Sequence, residues 1–230
     1  MINEVVEDFL TMLFPRYCLM CKDSLVKAEE HICLHCQYNL PFTNYHLRPE
    51  NDLAKRFLGK IHLKHALAYL KFIKGGKVQR ILHQLKYNGK PGVGELMGRW
   101  YGVELANHGY HKEFDLIVPV PLHLAKLKAR GYNQCDPFAK GLSEILQVEW
   151  DAQLLYRVKA SETQTKKKRF ARWENVNTIF QIDATKDIQG KRILIVDDVI
   201  TTGATLEACA QIILDHGGKE VSVAAIASAQ

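Results

Sequence analysis

No uninterrupted apolar run in this chain approaches the ~18 residues that a membrane-crossing helix needs. Nor does a basic region precede an apolar stretch at the start; Glu4, Glu7 and Asp8 stand there instead, which argues against a secretory leader. Both absences predict a cytoplasmic protein with no membrane span. In that compartment the six cysteines are expected as reduced thiols or metal ligands rather than disulfides. Acidic residues are missing from one stretch in particular: between His123 and Asp136 the charges are Lys126, Lys128 and Arg130 alone.

What is present is ample apolar sequence. With 47% hydrophobic residues over 230 positions, the chain can bury a full α/β core and carry a small appended module. The formal net charge of +6 is unevenly placed. Arg157, Lys159, Lys166, Lys167, Lys168, Arg169 and Arg172 face only Glu162 and Glu174 between positions 157 and 175. Such a field draws in a polyanion, whether pyrophosphate or nucleic acid.

One stretch organises the rest. Ile193, Leu194, Ile195 and Val196 have the composition of a strand buried on both faces, and Asp197-Asp198 and a Thr/Gly-rich turn follow. From Leu206, a helical pattern through Ala208, Cys209, Ile212, Ile213 and His216 ends at Gly217-Gly218, and Val221 to Ala227 reads as the next parallel strand. Strand, loop, helix and strand in that order put the loop at the carboxyl edge of a sheet, where open α/β folds bind ligands. The free amides at the helix start favour an anion. Thr201, Thr202 and Thr205 add hydroxyls, and Gly203 allows close approach of a phosphate. Two carboxylates would repel that same anion, so they are expected to accept hydrogen bonds from sugar hydroxyls or to reach a hydrated Mg²⁺. A ribose 5-phosphate satisfies both halves; the plainer alternative is a helix cap and a turn.

This stretch closely resembles the 5-phosphoribosyl-1-pyrophosphate (PRPP) motif of type I phosphoribosyltransferases. The resemblance implies that Asp197 and Asp198 hold the ribose hydroxyls, and that Thr201, Thr202, Gly203, Ala204 and Thr205 hold the 5-phosphate. It also implies the fold: a type I phosphoribosyltransferase-like α/β domain with a doubly wound parallel sheet.

Ahead of that domain, Val5, Val6, Phe9, Leu10, Leu13 and Phe14 form an amphipathic helical face, ended by Pro15. Cys18-Leu19-Met20-Cys21 and Cys33-Leu34-His35-Cys36 then supply two Cys-x-x-Cys knuckles, which can close a tetrahedron of thiolates around one structural Zn²⁺. His31 and His35 are expected at the surface. The reading divides the chain into a helix and zinc module (1–45), a connector (46–65) with a short helix near 51–58, and the main domain (66–230).

Within the main domain, Ala66 to Ile73 reads as a strand, Val78, Ile81, Leu82 and Leu85 as one helix stripe, and 93–107 as a longer helix. Asp115 to Pro121 reads as a buried strand whose pairing must end near Pro119. A helix then runs to about Leu146, and Cys135 and Cys209 are expected as small core residues. By the same resemblance, the loop after the Asp115 strand holds the pyrophosphate of PRPP, implicating Pro121, Leu122, Lys126 and Arg130. A flexible loop at 157–175 would close over it with Arg157, Gln164, Lys167, Arg169 and Arg172. Phe170 and Trp173, interleaved with basic residues, equally suit stacking by single-stranded DNA.

Several features in order narrow the resemblance: the four-cysteine knuckles, Leu82-His83-Gln84-Leu85-Lys86-Tyr87 with Gly89-Lys90, and Val118-Pro119-Val120-Pro121-Leu122. Arg130-Gly131-Tyr132-Asn133-Gln134, then Thr163-Gln164 with Arg172 and Asn175, and then the PRPP stretch complete them. Together they resemble the ComF family of competence-associated phosphoribosyltransferase-like proteins. Leu124, Ala125 and Leu127 dilute the usual basic run after the Pro-x-Pro loop. The resemblance implies a role in DNA uptake, with PRPP and Mg²⁺ as ligands, and single-stranded DNA and other DNA-uptake or recombination proteins as candidate partners. Phosphoribosyl transfer to an acceptor, and a PRPP-responsive DNA-binding protein without catalysis, are both compatible with it. No acceptor-binding hood is recognisable, and the zinc module occupies its place. Because Ile2 follows Met1, an N-terminal cysteine nucleophile for glutamine hydrolysis is not expected.

Overall fold

The computed structural model describes residues 14–158 and 179–229. The amphipathic segment before Phe14 and most of the 157–175 loop, including Lys167 and Arg169, lie outside the described residues.

Four parallel strands make the central sheet: β1 (Leu70–Phe72), β2 (Leu116–Pro119), β5 (Arg192–Ile200) and β6 (Glu220–Ala229), in spatial order β1-β6-β5-β2. A separate antiparallel pair joins β3 (Leu155–Arg157) to β4 (Phe180–Ile182). Alternation along the central strands divides the core in two. Leu194, Val196, Ala224 and Ile226 pack with α3 (Lys77–Tyr87), α4 (Pro91–Asn107) and α6 (Cys135–Leu146). Ile193, Ile195, Val223 and Ala225 pack with α7 (Ala204–Asp215) on the other face. The sheet is therefore doubly wound, as the apolar runs predict. Helices α4 and α6 cross at backbone contact: a Cβ on Gly141 would lie 2.2 Å from the Glu95 carbonyl oxygen.

Several boundaries differ from the sequence reading. Strand β5 does not stop before the acidic pair but continues through it, because β6 runs on beside it and pairs Ile200 with Ser228. The strand expected at Ala66 to Ile73 is regular only over β1, although Leu67 and Tyr69 already donate to the Val223 and Ala225 carbonyls at 2.8 and 3.0 Å. Pairing of β2 ends at Pro119, as two prolines require. The β3–β4 pair and helix α5 (Leu124–Arg130) are additional elements.

The segment read as a connector is structured. Asn51 caps α2 (Asp52–Lys55), its Oδ1 accepting from the Leu53 and Ala54 amides at 3.0 and 2.9 Å. The expected helix at 51–58 is thus shorter, and Leu53 and Phe57 insert into the core on the α7 face. The cysteine module is not set apart either: Met20, Leu25, Ile32 and Leu40 belong to the same buried cluster as α3 and α4. Short helix α1 (Leu34–Tyr38) carries Cys36. Among the described residues, no helix is long and apolar enough to cross a membrane.

Candidate functional site

Both acidic side chains leave β5 at the carboxyl edge of the sheet, one residue pair before the turn into α7. Asp198 is buried and forms an ion pair with Lys86 from the last turn of α3. Asp197 keeps an accessible edge; its Oδ1 accepts from the Asp198 amide at 2.8 Å and from the Cys135 thiol at 3.4 Å. Burial, and then the neighbouring Asp198 charge, push the Asp197 carboxyl up to about 7. Burial likewise drives the Cys135 thiol well above its usual range, so it stays a neutral donor. Cys135 and Cys209 are both fully buried, as expected, but Cys135 has the added task of contacting the acidic pair.

Beyond Ile200, the turn leaves Thr201, Thr202, Ala204 and Thr205 exposed around the start of α7, whose first amides lack intrahelical acceptors. Gly203 is the N-cap with φ 85°, a conformation open to glycine. The sequence expects glycine here for close approach of a phosphate, and the structure adds a second reason for it. A Cβ there would lie 2.7 Å from Phe57 Cζ, so glycine is required by packing against the former connector. Arg56, its neighbour, donates to the Thr201 carbonyl at 2.6 Å and also to the Ala229 carbonyl. This segment therefore braces the loop from beneath, an arrangement no local pattern signals.

The basic residues after β2 fall on α5, where a spacing of four puts Lys126 and Arg130 on one face. With Lys86, Tyr87, Gly89 and Ala129 they line a cleft of about 270 Å³. Arg130 lies 5.7 Å from the Tyr87 ring centre and donates to Gln134, while the Tyr132 hydroxyl donates to the Leu85 carbonyl. Lys86 thus connects the acidic pair to the basic cleft. Neither Lys86 nor Tyr87 figures among the site residues read from sequence, although the Leu-Lys-Tyr run containing them is part of the family resemblance. Pro121 and Leu122 remain half-exposed at the end of β2, and the buried Asn133 holds this loop by donating to the Val120 carbonyl at 3.1 Å. Arg157 is not brought to the cleft; its guanidinium stacks on Phe180 at 5.4 Å. A larger groove of about 710 Å³, lined by Leu116, Trp150 and Lys191, lies at the amino ends of β2 and β5, the opposite edge of the sheet.

Cys18, Cys21, Cys33 and Cys36 converge so that their sulfurs all lie within 4.8 Å of one another, and Cys21 and Cys33 are 3.6 Å apart. Tetrahedral thiolates on one metal stand about 3.8 Å apart, from metal–sulfur distances near 2.3 Å. All four are free thiols. The donor set fits a metal: the Met20 and Cys33 amides each donate to Cys18 Sγ at 3.4 Å, and Lys77 reaches Cys36 Sγ at 3.8 Å. Such donors offset the negative charge of four thiolates. His35 is exposed, whereas His31, expected at the surface, is half-buried against Gly92 at the start of α4.

The phosphoribosyl transferase domain family model matches residues 133–230. The DNA utilization protein YhgH of Escherichia coli is 32% identical over 224 residues, which cover 91% of this chain and 95% of that protein. Competence protein F of Haemophilus influenzae is 26% identical over 222 residues, covering 92% and 96% respectively. Among solved structures, the glutamine PRPP amidotransferase from B. subtilis overlaps with a TM-score of 0.46 at 18% identity, covering 62% of this chain and 30% of that one.

Proposed function

The chain belongs to the ComF family, with its type I phosphoribosyltransferase-like fold, and from that premise we propose that it binds PRPP with Mg²⁺ and serves in DNA utilisation. The observation that carries the reading is the juxtaposition of three parts: the Asp197-Asp198 pair, the hydroxyl-lined start of α7 and the Lys86–Lys126–Arg130 cleft.

Each part has a distinct task. The acidic pair accepts hydrogen bonds from the ribose hydroxyls, while Thr201, Thr202, Thr205 and the first amides of α7 donate to the 5-phosphate. Lys86 leaves Asp198 when the ribose hydroxyls arrive and joins Lys126 and Arg130 on the pyrophosphate. Mg²⁺ supplies charge neutralisation on the phosphates. If transfer follows, the bond from C1 to the pyrophosphate oxygen breaks and its electron pair departs with pyrophosphate. An acceptor lone pair then forms the new bond to C1 and the acceptor sheds a proton. The protein contributes positioning and electrostatics, with no covalent intermediate.

A second reading makes the same pocket a PRPP-responsive site on a single-stranded DNA-binding protein. The exposed Tyr87 ring beside Lys86 and Arg130 favours it, since aromatic and basic groups together hold unpaired bases and their phosphates. Cytoplasmic action, and the further DNA-uptake or recombination partners, belong to this proposal. We assign structural Zn²⁺ to Cys18, Cys21, Cys33 and Cys36 because four sulfurs leave no open coordination position.

Titrating the protein with Mg²⁺-PRPP by calorimetry tests the core reading. Saturable binding is expected, with at least ~100-fold weaker binding after Asp197→Asn and Asp198→Asn together, since each lost charge-assisted pair is worth ~1.5–3 kcal/mol. Unchanged affinity in that variant would overturn the ribose assignment.

A further inference from the structure

Helix α4 returns the chain to the amino end of β2; its last turn bears Glu104, and His108, four residues on, is the residue that caps its carboxyl end. The 3₁₀ turn Tyr45–Leu47 sets His46 against them, with the His46 and His108 ring centres 4.8 Å apart. One ring nitrogen of each histidine and a Glu104 carboxylate oxygen all lie within 4.8 Å of one another.

Two hydrogen-bonding facts distinguish this cluster from simple ring packing. His108 Nδ1 is 2.8 Å from the Glu104 carbonyl oxygen. A carbonyl can only accept, so Nδ1 carries a proton, and in the neutral ring Nε2 then offers its lone pair, the tautomer that metal-ligating histidines take from a backbone partner. His46 Nδ1 is buried and has no hydrogen-bond partner among the described residues. The turn that bears it is pinned, because the Tyr110 hydroxyl donates to the His46 carbonyl at 2.9 Å.

We propose that His46, Glu104 and His108 form a second metal site, for a borderline divalent transition ion of the zinc class. Two imidazoles and one carboxylate suit such an ion, and the exposure of Glu104 and His108 leaves its fourth position to water. The ion would tie the segment before α2 to the end of α4. The site lies at the opposite end of α4 from the cysteine module, which packs against Gly92 and Arg99 through His31 and Glu30.

The test titrates the full chain, already loaded at its cysteines, first with Zn²⁺ by calorimetry and then with Co²⁺ by absorption. A further equivalent of Zn²⁺ is expected, and the matching Co²⁺ spectrum shows ligand-field bands without a thiolate charge-transfer band. With the cysteines already holding Zn²⁺, that signature reads this site alone. His108→Gln and His46→Ala should each abolish the equivalent, whereas His62→Ala, at an exposed histidine outside the cluster, should retain it. His108 is exposed, so its variant carries the test even where His46→Ala does not fold. Absence of the thiolate-free equivalent in the parent protein, or its survival in His108→Gln, would overturn the site.

Discussion

Asp197 holds a proton far more tightly than a free carboxyl because burial and the Asp198 charge both oppose its ionisation. An acid whose folded pKa is raised favours the folded state below its unfolded value near 4, and that advantage is lost as pH rises toward about 7. Asn lacks the ionisation, so Asp197→Asn is expected to melt higher than the parent at pH 8, by roughly 5 °C. The gap should close toward pH 4, and thermal melts across that range check it. The same variant should lose PRPP binding, so stability and function pull in opposite directions at this residue. A melting difference that does not change with pH would contradict the assignment. The two aspartates are legible in the sequence because they directly follow a fully apolar run. Lys86 as the partner of Asp198, and Phe57 as the reason for Gly203, are not. Both contacts join segments far apart in the chain, and no local periodicity encodes them.

Elements whose sequence carries a full period of burial emerge where expected: α3, α4, α6, α7, β5 and β6 all have continuous apolar stripes or runs. The β3 and β4 strands, three residues each and separated by the 159–178 segment, offer too few alternations to read. The overrun of β5 through Asp198 depends on β6 supplying ladder partners, a property of the sheet rather than of either strand. The cysteine knuckles are read correctly as a convergent cluster, but their attachment to the main core is not visible from spacing. Arg80 of α3 donates to the Met20 carbonyl at 2.8 Å, and Arg99 of α4 pairs with Glu30 at 3.3 Å. Chelation should therefore lower the melting temperature by roughly 10 °C and loosen α3 together with the segment from 18 to 40. Hydrogen exchange would show protection lost in both places; loss confined to the knuckles, or none, would contradict a metal that supports the shared core.

Across the whole molecule, the acidic pair, the Thr201–Thr205 turn and the basic cleft gather at the carboxyl edge of one parallel sheet, the edge at which open α/β folds bind ligands. With a net charge of +6, single-stranded oligonucleotide binding should weaken steeply with salt, log K falling by about 0.7 per tenfold rise in salt for each phosphate neutralised. Electrophoretic shifts in rising salt would check this, and an absent or salt-insensitive shift would remove the DNA-binding reading. The central claim is tested most directly by a crystal structure of the protein with Mg²⁺-PRPP. The account predicts the 5-phosphate on the Thr201–Thr205 turn, the ribose hydroxyls on Asp197 and Asp198, and Lys86 moved from Asp198 to the pyrophosphate. A sugar bound elsewhere, with the Lys86–Asp198 pair intact, would contradict it.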